Sequence, residues 1–574
     1  MVKQKKILLV NSPCLDARQG EDAGMVPLGL YYIGSLLIEN GYTTKIINLA
    51  DNKENPVARF QKILKHEHPD IIGFSVTNPN RLNAMDCARA ARKIFPDATI
   101  VFGGPAPTFL SEYFLRACPD IDFIIPGEGE ITFLELVTEL GKKQHKTFEQ
   151  IKGLIFKKGD DLFKTSPRPY IKNLDGLVHP SKYFAYQFLA MSRGCPGKCS
   201  FCGSPKFWGN SIVRFHSAKW FADEVQTLVK KGITHFYISD DTFTMDKERV
   251  IEFCELLMKE KLDITWNAIS RTDFIDKDIL LAMRKAGCIQ LSFGVESGSQ
   301  KIRKILGKPI QQEKIIEAFA LTVSYGILPR AYFIYGSPGE TDRTIQESID
   351  LLNTIKPLSA IFYLLVIFPG TYLYQSAVNK GLLTDDLWHQ KIEDLPFFEV
   401  DTTLNFTKVK AFGDRLRSEF YNKVDTFAQN INLVDIKELY PFHAEFLSRL
   451  AMTFSHGEYA FDTRVKHQDK TSKMLYDRAL SYAPDKRAFL GLAMLMQKKR
   501  LFNNAILFLE KGLAHWPGNK DLNICMGVCL MNTGQFKTAL QFFQKFKNFS
   551  ETNQYINICH QQITGQKHER EHKL

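Results

Sequence analysis

Six short apolar runs recur between residues 188 and 370: "FLAMSRG", "HFYISDD", "DITWNAIS", "IQLSFGVES", "AYFIYGSPGE" and "IFYLLVIFPG". Amphipathic stretches such as "SAKWFADEVQTLVKKG" and "DKDILLAMRKAG" separate them. Strand-length runs that alternate with helix-length segments pair in parallel, because a parallel neighbour is reached only by a crossover. Six such units predict a partial (β/α)6 barrel, with its site at the carboxyl ends of the strands.

A second alternating series precedes it. "KKILLVN", "TTKIINL", "IIGFSV", "TIVFGG" and "FIIPGEGE" read as strands, with helices through "GLYYIGSLLIENG", "NAMDCARAARKIF" and from Ile131. This order predicts an α/β, doubly wound, Rossmann-like domain over residues 1–145, with ligands at "SVTN", "GGPAPT" and "GEGE". Residues 146–185, containing Pro167, Pro169 and Pro180, read as a linker with a small hairpin, and the barrel should occupy 186–400. Residues 401–471 give weak helical signals, expected as a connector. Over 472–565, Phe489, Leu492, Ala493, Ala505 and Ile506 are followed 34 positions later by Asn523, Met526, Gly527, Ala539 and Leu540, and Phe502 matches Phe536. Period and small-residue positions resemble tetratricopeptide repeats, which implies an all-α array able to present a surface to a protein partner.

A chain of 574 residues exceeds one core, in keeping with several domains. The net charge of +11 comes from Lys and Arg interspersed with Asp and Glu, with dense basic stretches only in the first six residues and in "GQKHEREHKL", which argues against a nucleic-acid partner. The longest apolar run, Ala360 to Phe368, falls short of the ~20 residues of a membrane helix. Four apolar residues before Asn11 are too few for a secretory signal, so a cytoplasmic location is expected. In a reducing compartment, eleven cysteines in so long a chain point to metal binding where they cluster.

They cluster in "SRGCPGKCSFCG", directly after the first barrel run. Cys195, Cys199 and Cys202 follow a CxxxCxxC spacing with no second cysteine pair nearby, so a four-ligand zinc site is disfavoured. Three thiolates suit a 4Fe-4S cluster with one iron left open. Together with Phe201 and Gly194, the stretch resembles the radical S-adenosylmethionine (SAM) superfamily. That resemblance implies that the open iron chelates the amino and carboxylate groups of SAM, and that an electron from the cluster releases methionine and a 5′-deoxyadenosyl radical. It further implies SAM-binding roles for Phe201, for Asp240 and Asp241 in "YISDDTF", for Glu296 and Ser297 in "FGVESGS", and for Gly336 in "YFIYGSPGET". A helix N-cap accounts for Asp241 equally well.

The first domain resembles the cobalamin-binding domain that precedes many radical SAM barrels, through "VPLGLYYIGSLLIENGY" and the strand-end loops. It contains no D-x-H-x-x-G, so the resemblance implies cobalamin bound base-off, its nucleotide tail against Ser75, Thr77, Gly103 and Gly104. The expected activity is radical methylation of an unactivated carbon on a small-molecule, lipid or peptide substrate, with an electron donor such as flavodoxin or ferredoxin. Two alternatives stay open: cobalamin-dependent cyclisation or rearrangement, and methylthiotransfer with an auxiliary cluster on Cys14, Cys87 and Cys118.

Overall fold

The computed structural model describes residues 5–14, 25–50, 54–142, 147–209, 212–401 and 403–571, so most of the basic amino-terminal stretch and the last three residues of the basic tail lie outside them. Strands β1 (Lys6–Asn11), β2 (Thr43–Asn48), β3 (Ile71–Ser75), β4 (Thr99–Gly103) and β5 (Phe123–Ile125) form a parallel sheet in the order β2-β1-β3-β4-β5. Successive side chains leave a strand on opposite faces, and both faces are covered. Leu8 and Val10 join Ile72 and Phe74 in one core, while Ile7 and Leu9 join Val101 in the other. The strand order reverses at β1, which places the ligand crevice beyond the ends of β1 and β3.

The helix expected from "GLYYIGSLLIENG" spans Leu28–Glu39, and Gly41 turns the chain out of it at φ 84°. A helix that the sequence reading passed over, Pro56–Glu67, buries only Phe60 and Leu64 and is capped by Asn55, whose side chain accepts from Ala58 N at 3.0 Å. Within 146–185, β6 (Ile155–Lys158) and β7 (Asp161–Lys164) form the hairpin. It pairs antiparallel with β5, so it extends the first sheet as well as linking it to the next.

The second sheet holds β8 (Phe188–Leu189), then, past a short ribbon of β9 (Ser192–Arg193) and β10 (Arg214–Phe215), β11 (His235–Ile238), β12 (Thr265–Ser270), β13 (Cys288–Glu296), β14 (Leu328–Tyr335) and β15 (Ser359–Leu364). Its six strands are all parallel, in the order β8-β11-β12-β13-β14-β15, as the six apolar runs require. Phe236, Ile238, Trp266, Ala268, Leu291 and Phe293 face outward into the core beneath the crossover helices. Beyond β15 the chain returns to the first domain. Trp388 is fully buried there, its carbonyl accepting from Tyr113 Oη at 2.6 Å and Arg81 Nη2 at 3.3 Å, while the Arg81 guanidinium lies 5.0 Å from its ring.

Helix Phe406–Gln429 lies along β15, with Phe420 against Phe362. Helices Tyr440–Ser455, Gln468–Tyr482, Lys486–Lys498, Phe502–His515, Lys520–Asn532 and Phe536–Gln544 follow as an array. Helix starts at Lys486 and Lys520, and at Phe502 and Phe536, are each 34 residues apart. Leu475, Tyr476, Ala479 and Leu492 share a buried core with the barrel; Ala505, Leu509, Met526 and Phe543 belong to a separate one. Among the described residues, no helix is long and apolar enough to cross a membrane.

Candidate functional site

The cysteine loop begins where β9 ends. Gly194 sits at φ 111°, and a Cβ there would collide with Ile212 O, so the turn into Cys195 admits only glycine. On its far side the loop is pinned to the turn after helix Gln300–Ile305. Ser200 N donates to Leu306 O at 2.9 Å, and Gly307, at φ 68°, lets that turn approach Lys198 O more closely than any side chain would permit. Cys202 N bonds Cys199 O at 3.2 Å, and Gly197 N donates to Cys195 Sγ at 3.4 Å.

The CxxxCxxC loop presents three thiols together, a donor set of the kind a four-iron cluster takes. In a four-iron cluster each thiolate holds a different iron, so its sulfurs stand farther apart than the ligands of one ion. The bare Gly197 keeps the space between them clear: a Cβ there would lie 3.3 Å from Cys195 Sγ and 3.7 Å from Cys199 Sγ. Burial pushes the Cys199 thiol up and the Cys202 thiol up to about 12. Two cations that the sequence reading missed stand beside the loop. Lys308 and Arg271 both act on Cys199, and Arg271, fixed by Asp273 at 2.7 and 2.9 Å, acts on Cys195 as well.

The strand-end residues divide. Asp241 lines a cavity of about 330 Å³ and accepts from Ser204 Oγ, two residues beyond Cys202. Asp240 turns inward instead. Its carboxylate accepts from Met191 N at 2.8 Å and from Ser192 Oγ, and burial raises its pKa to about 7, so it braces the segment leading to the cysteines. Glu296 holds φ at 63°, a left-handed conformation that is costly for a residue with a side chain, and pairs with buried Lys308 at 2.7 Å. Ser297 is fully buried, bonding Ser348 Oγ at 3.2 Å and Ser299 N at 3.1 Å, and shapes the turn. Gly336, at φ 80°, packs a bare Cα against Leu364 and Val409, and its N–H donates to Glu340, an acid that burial raises to about 7. Phe201 leans toward the core shared by the first domain and the returning segment.

Across the same cavity stand the strand ends of the first domain. Ser75, Gly103, Gly104, Gly127 and Gly129 line it, and Thr77 does not; its N–H is taken by Asn80 Oδ1 at 2.8 Å. Gly104, at φ 101°, packs on the Val76 backbone at a distance that forbids a Cβ, whereas a Cβ on Gly127 would meet open space. Nearby, among the described residues, Ser12 Oγ and both amide atoms of Asn78 are buried without a hydrogen-bond partner. Bare glycines and unpartnered polar atoms at the ends of β1, β3 and β4 fit a large polar cofactor. Among the described residues the cavity wall carries no histidine.

The two acids of "GEGE" line the cavity and also anchor the ribbon before the cysteines. Arg193 bonds Glu128 and Glu130, each at 2.7 Å, and Arg214 bonds Glu128 at 2.8 and 2.9 Å. The Arg193 guanidinium also lies 4.8 Å from the ring of Tyr32, whose ionisation burial opposes. Cys87 and Cys118 are buried in the first domain's core and Cys14 is exposed, an arrangement unlike an auxiliary cluster.

The radical SAM superfamily model matches residues 189–352, and the B12 binding domain model matches residues 23–137. A protein of Pyrococcus horikoshii described as an uncharacterized methyltransferase is 32% identical over 461 residues, 78% of this chain and 97% of that one. The anaerobic magnesium-protoporphyrin IX monomethyl ester cyclase of Rubrivivax gelatinosus is 30% identical over 62% of this chain and 66% of its own. In fold, the chain is similar to the cobalamin-dependent S-adenosylmethionine radical enzyme OxsB, with a TM-score of 0.59 over 96% of this chain and 85% of that one at 18% identity. The chain therefore belongs to the cobalamin-dependent radical SAM methyltransferase family, enzymes that use a 4Fe-4S cluster, SAM and cobalamin.

Proposed function

We propose that Cys195, Cys199 and Cys202 hold the cluster, that the ends of β1, β3 and β4 hold cobalamin base-off, and that the enzyme methylates an unactivated carbon. When bound, the cluster with SAM supplies a carbon-centred radical, and cobalamin supplies a methyl group. The observation that carries the reading is the shared cavity. Gly103 and Gly104 of one domain and Ser239 and Asp241 of the other form walls of a single space, so both cofactors would open onto the same substrate.

The chain's own residues support such a division of labour. Asp241 presents a carboxylate to the amino group of SAM. The apolar walls, from Leu9, Ile33, Ile125 and Phe133 to Trp208, exclude water that would quench a radical. Among the described residues the wall offers no histidine to serve as a lower ligand, in keeping with base-off binding. A one-electron donor of the flavodoxin or ferredoxin class would serve the cluster.

Metabolite and lipid profiles of a deletion strain would identify the accumulating precursor. With that precursor and methyl-deuterated SAM, the purified enzyme should yield labelled product while 5′-deoxyadenosine and S-adenosylhomocysteine form together. Product with 5′-deoxyadenosine alone, and no added carbon, would refute methyl transfer and favour ring formation, the reaction named for the Rubrivivax gelatinosus relative.

A further inference from the structure

We infer that the barrel interior is a substrate channel closed at its base by an anion site, and that the substrate is elongated, with a carboxylate or phosphate at the end away from the reacting carbon. Only the identity of the reacting end rests on the function proposed above.

The interior is open. Side chains alternate along β12, so with Trp266 and Ala268 packed outward, Asn267 and Ile269 point inward; along β15, Phe362 packs outward and Tyr363 inward. In a closed eight-stranded barrel such inward positions fill the core. Here Ile269 is 38% exposed and Tyr363 49% exposed, although both lie in the strands of a parallel sheet. The inward aromatic pairs Phe188–Tyr237 and Tyr332–Tyr363, at 4.7 and 5.6 Å, line this space without filling it.

At the amino-terminal ends of the strands the interior meets a second cavity, of about 460 Å³, roofed by helix Tyr440–Ser455. Among the described residues its wall holds two guanidiniums, Arg284 and Arg449, and no Asp or Glu. Glu445, behind the wall, is shared. It accepts from Arg284 at 3.0 Å and from Arg449 at 2.8 and 3.0 Å, and Arg487 approaches it to 3.8 Å, with Asp485 and Asp263 acting on Arg487 from elsewhere. One carboxylate for the two wall arginines leaves uncompensated positive charge at a partly dry surface, an arrangement that favours an anion.

Unsatisfied polar atoms point to the same place. Arg284 is fully buried, yet among the described residues its Nε has no hydrogen-bond partner. Gly326, also in the wall, stands beside that buried atom and the equally unpartnered His443 Nδ1: a Cβ there would lie 3.6 Å from the first and 3.0 Å from the second. Asn267 Oδ1, on the wall that faces the interior, is likewise unpartnered and can accept from a protonated phosphate or a hydroxyl. From Asn267 to Arg271, which stands beside the cysteines, β12 and its extension span four residues, about 13 Å. A substrate that reaches from beside the cysteines to the arginine-walled cavity is therefore at least about that long, with aromatic walls along its middle.

The test is calorimetric titration of the cofactor-loaded full chain with inorganic phosphate and with decyl phosphate. Decyl phosphate should bind more tightly than phosphate. Arg449→Gln should weaken both about tenfold, the loss of one charge-assisted hydrogen bond, and Arg449→Lys should restore most of it. Ile269→Trp, which fills the interior midway, should weaken decyl phosphate at least tenfold. Phosphate binding that ignores Arg449→Gln would overturn the anion site, and decyl phosphate binding that ignores Ile269→Trp would overturn the channel. Because binding and not turnover is read, a failure to form methylated product alongside intact decyl phosphate binding would count against the reaction and not against this site.

Discussion

Arg193 donates to Glu128 at 2.7 Å across the seam between the two α/β sheets, from the residue directly before Gly194 and the cysteine loop. Both side chains are less than one-tenth exposed, and Glu128 also receives Arg214 and the backbone N–H of Ile171. One carboxylate of the cobalamin-binding domain thereby fixes both strands of the β9–β10 ribbon. The strand ends of the first domain and the cysteine loop are tied together through Glu128 and Arg193, side chains that also line the shared cavity.

Removing that charge leaves buried Arg214 without its carboxylate and Arg193 with Glu130 alone. Glu128→Gln should cost roughly 3–5 kcal/mol in urea unfolding, the range for breaking one partner of a buried pair. Less cobalamin should survive desalting of the variant. An unchanged urea midpoint would show that the seam is held elsewhere, by the Trp388 segment above all.

Loop geometry and thiol count make separable contributions to the cluster. Replacing Cys195, Cys199 and Cys202 by Ala should abolish the broad visible absorption of the anaerobically reconstituted protein. Gly307→Ala keeps every thiol but drives a Cβ into Lys198 O, so it should lower bound iron by about half or more. Full iron content in the triple variant would remove the ligand assignment. Full content in Gly307→Ala would show that the loop can move without losing its cluster.

Stability should fall as pH rises from about 4 to above 7. Asp240 and Glu340 each have a folded pKa raised to about 7, against an unfolded value near 4, so over that window the folded state binds more protons than the unfolded one. The stabilisation is complete below the unfolded value and is lost on passing through the folded one. For Asp240, fully buried, the loss is on the order of a few kcal/mol. Asp240→Asn keeps an acceptor for Met191 N and should flatten the urea midpoint against pH; an equally steep profile in that variant would place the titration elsewhere.

What was legible in the sequence followed from periodicity and spacing. The six barrel strands each carry an apolar run long enough to register, and the cysteines are local in sequence. Helix Pro56–Glu67 was passed over although Val57, Phe60, Ile63 and Leu64 recur at helical spacing, a stripe that could have found it. Arg271 and Lys308 escaped because their relation to the thiols is made by tertiary approach, 69 positions after Cys202 in the case of Arg271. Asp240 and Asp241 look alike in "YISDD", and only the direction in which the strand leaves each side chain separates the brace from the cavity wall.

The same distinction between local pattern and shared core governs where the chain can be cut. The repeat pattern suggests a boundary near residue 472, but Leu475, Tyr476, Ala479 and Leu492 pack in the core that includes Phe446, Leu450 and the barrel's outer face. Tyr476 is fully buried, Gly491 has no side chain because the Tyr476 ring occupies its place, and Tyr476 Oη reaches Ser455 Oγ at 2.9 Å. Deleting from residue 472 should uncover helix Tyr440–Ser455 and yield aggregated protein without bound iron. Ending the chain after Leu501 instead removes helices whose core is largely their own; buried Phe489 and Ala493 and the partly buried Leu480, Leu490, Met494 and Met496 lose cover. That shorter chain should keep its cluster and cleave SAM to 5′-deoxyadenosine at a rate within about threefold of the full protein. If both truncations behave alike, the array is a single unit, and the division read from the buried clusters is wrong.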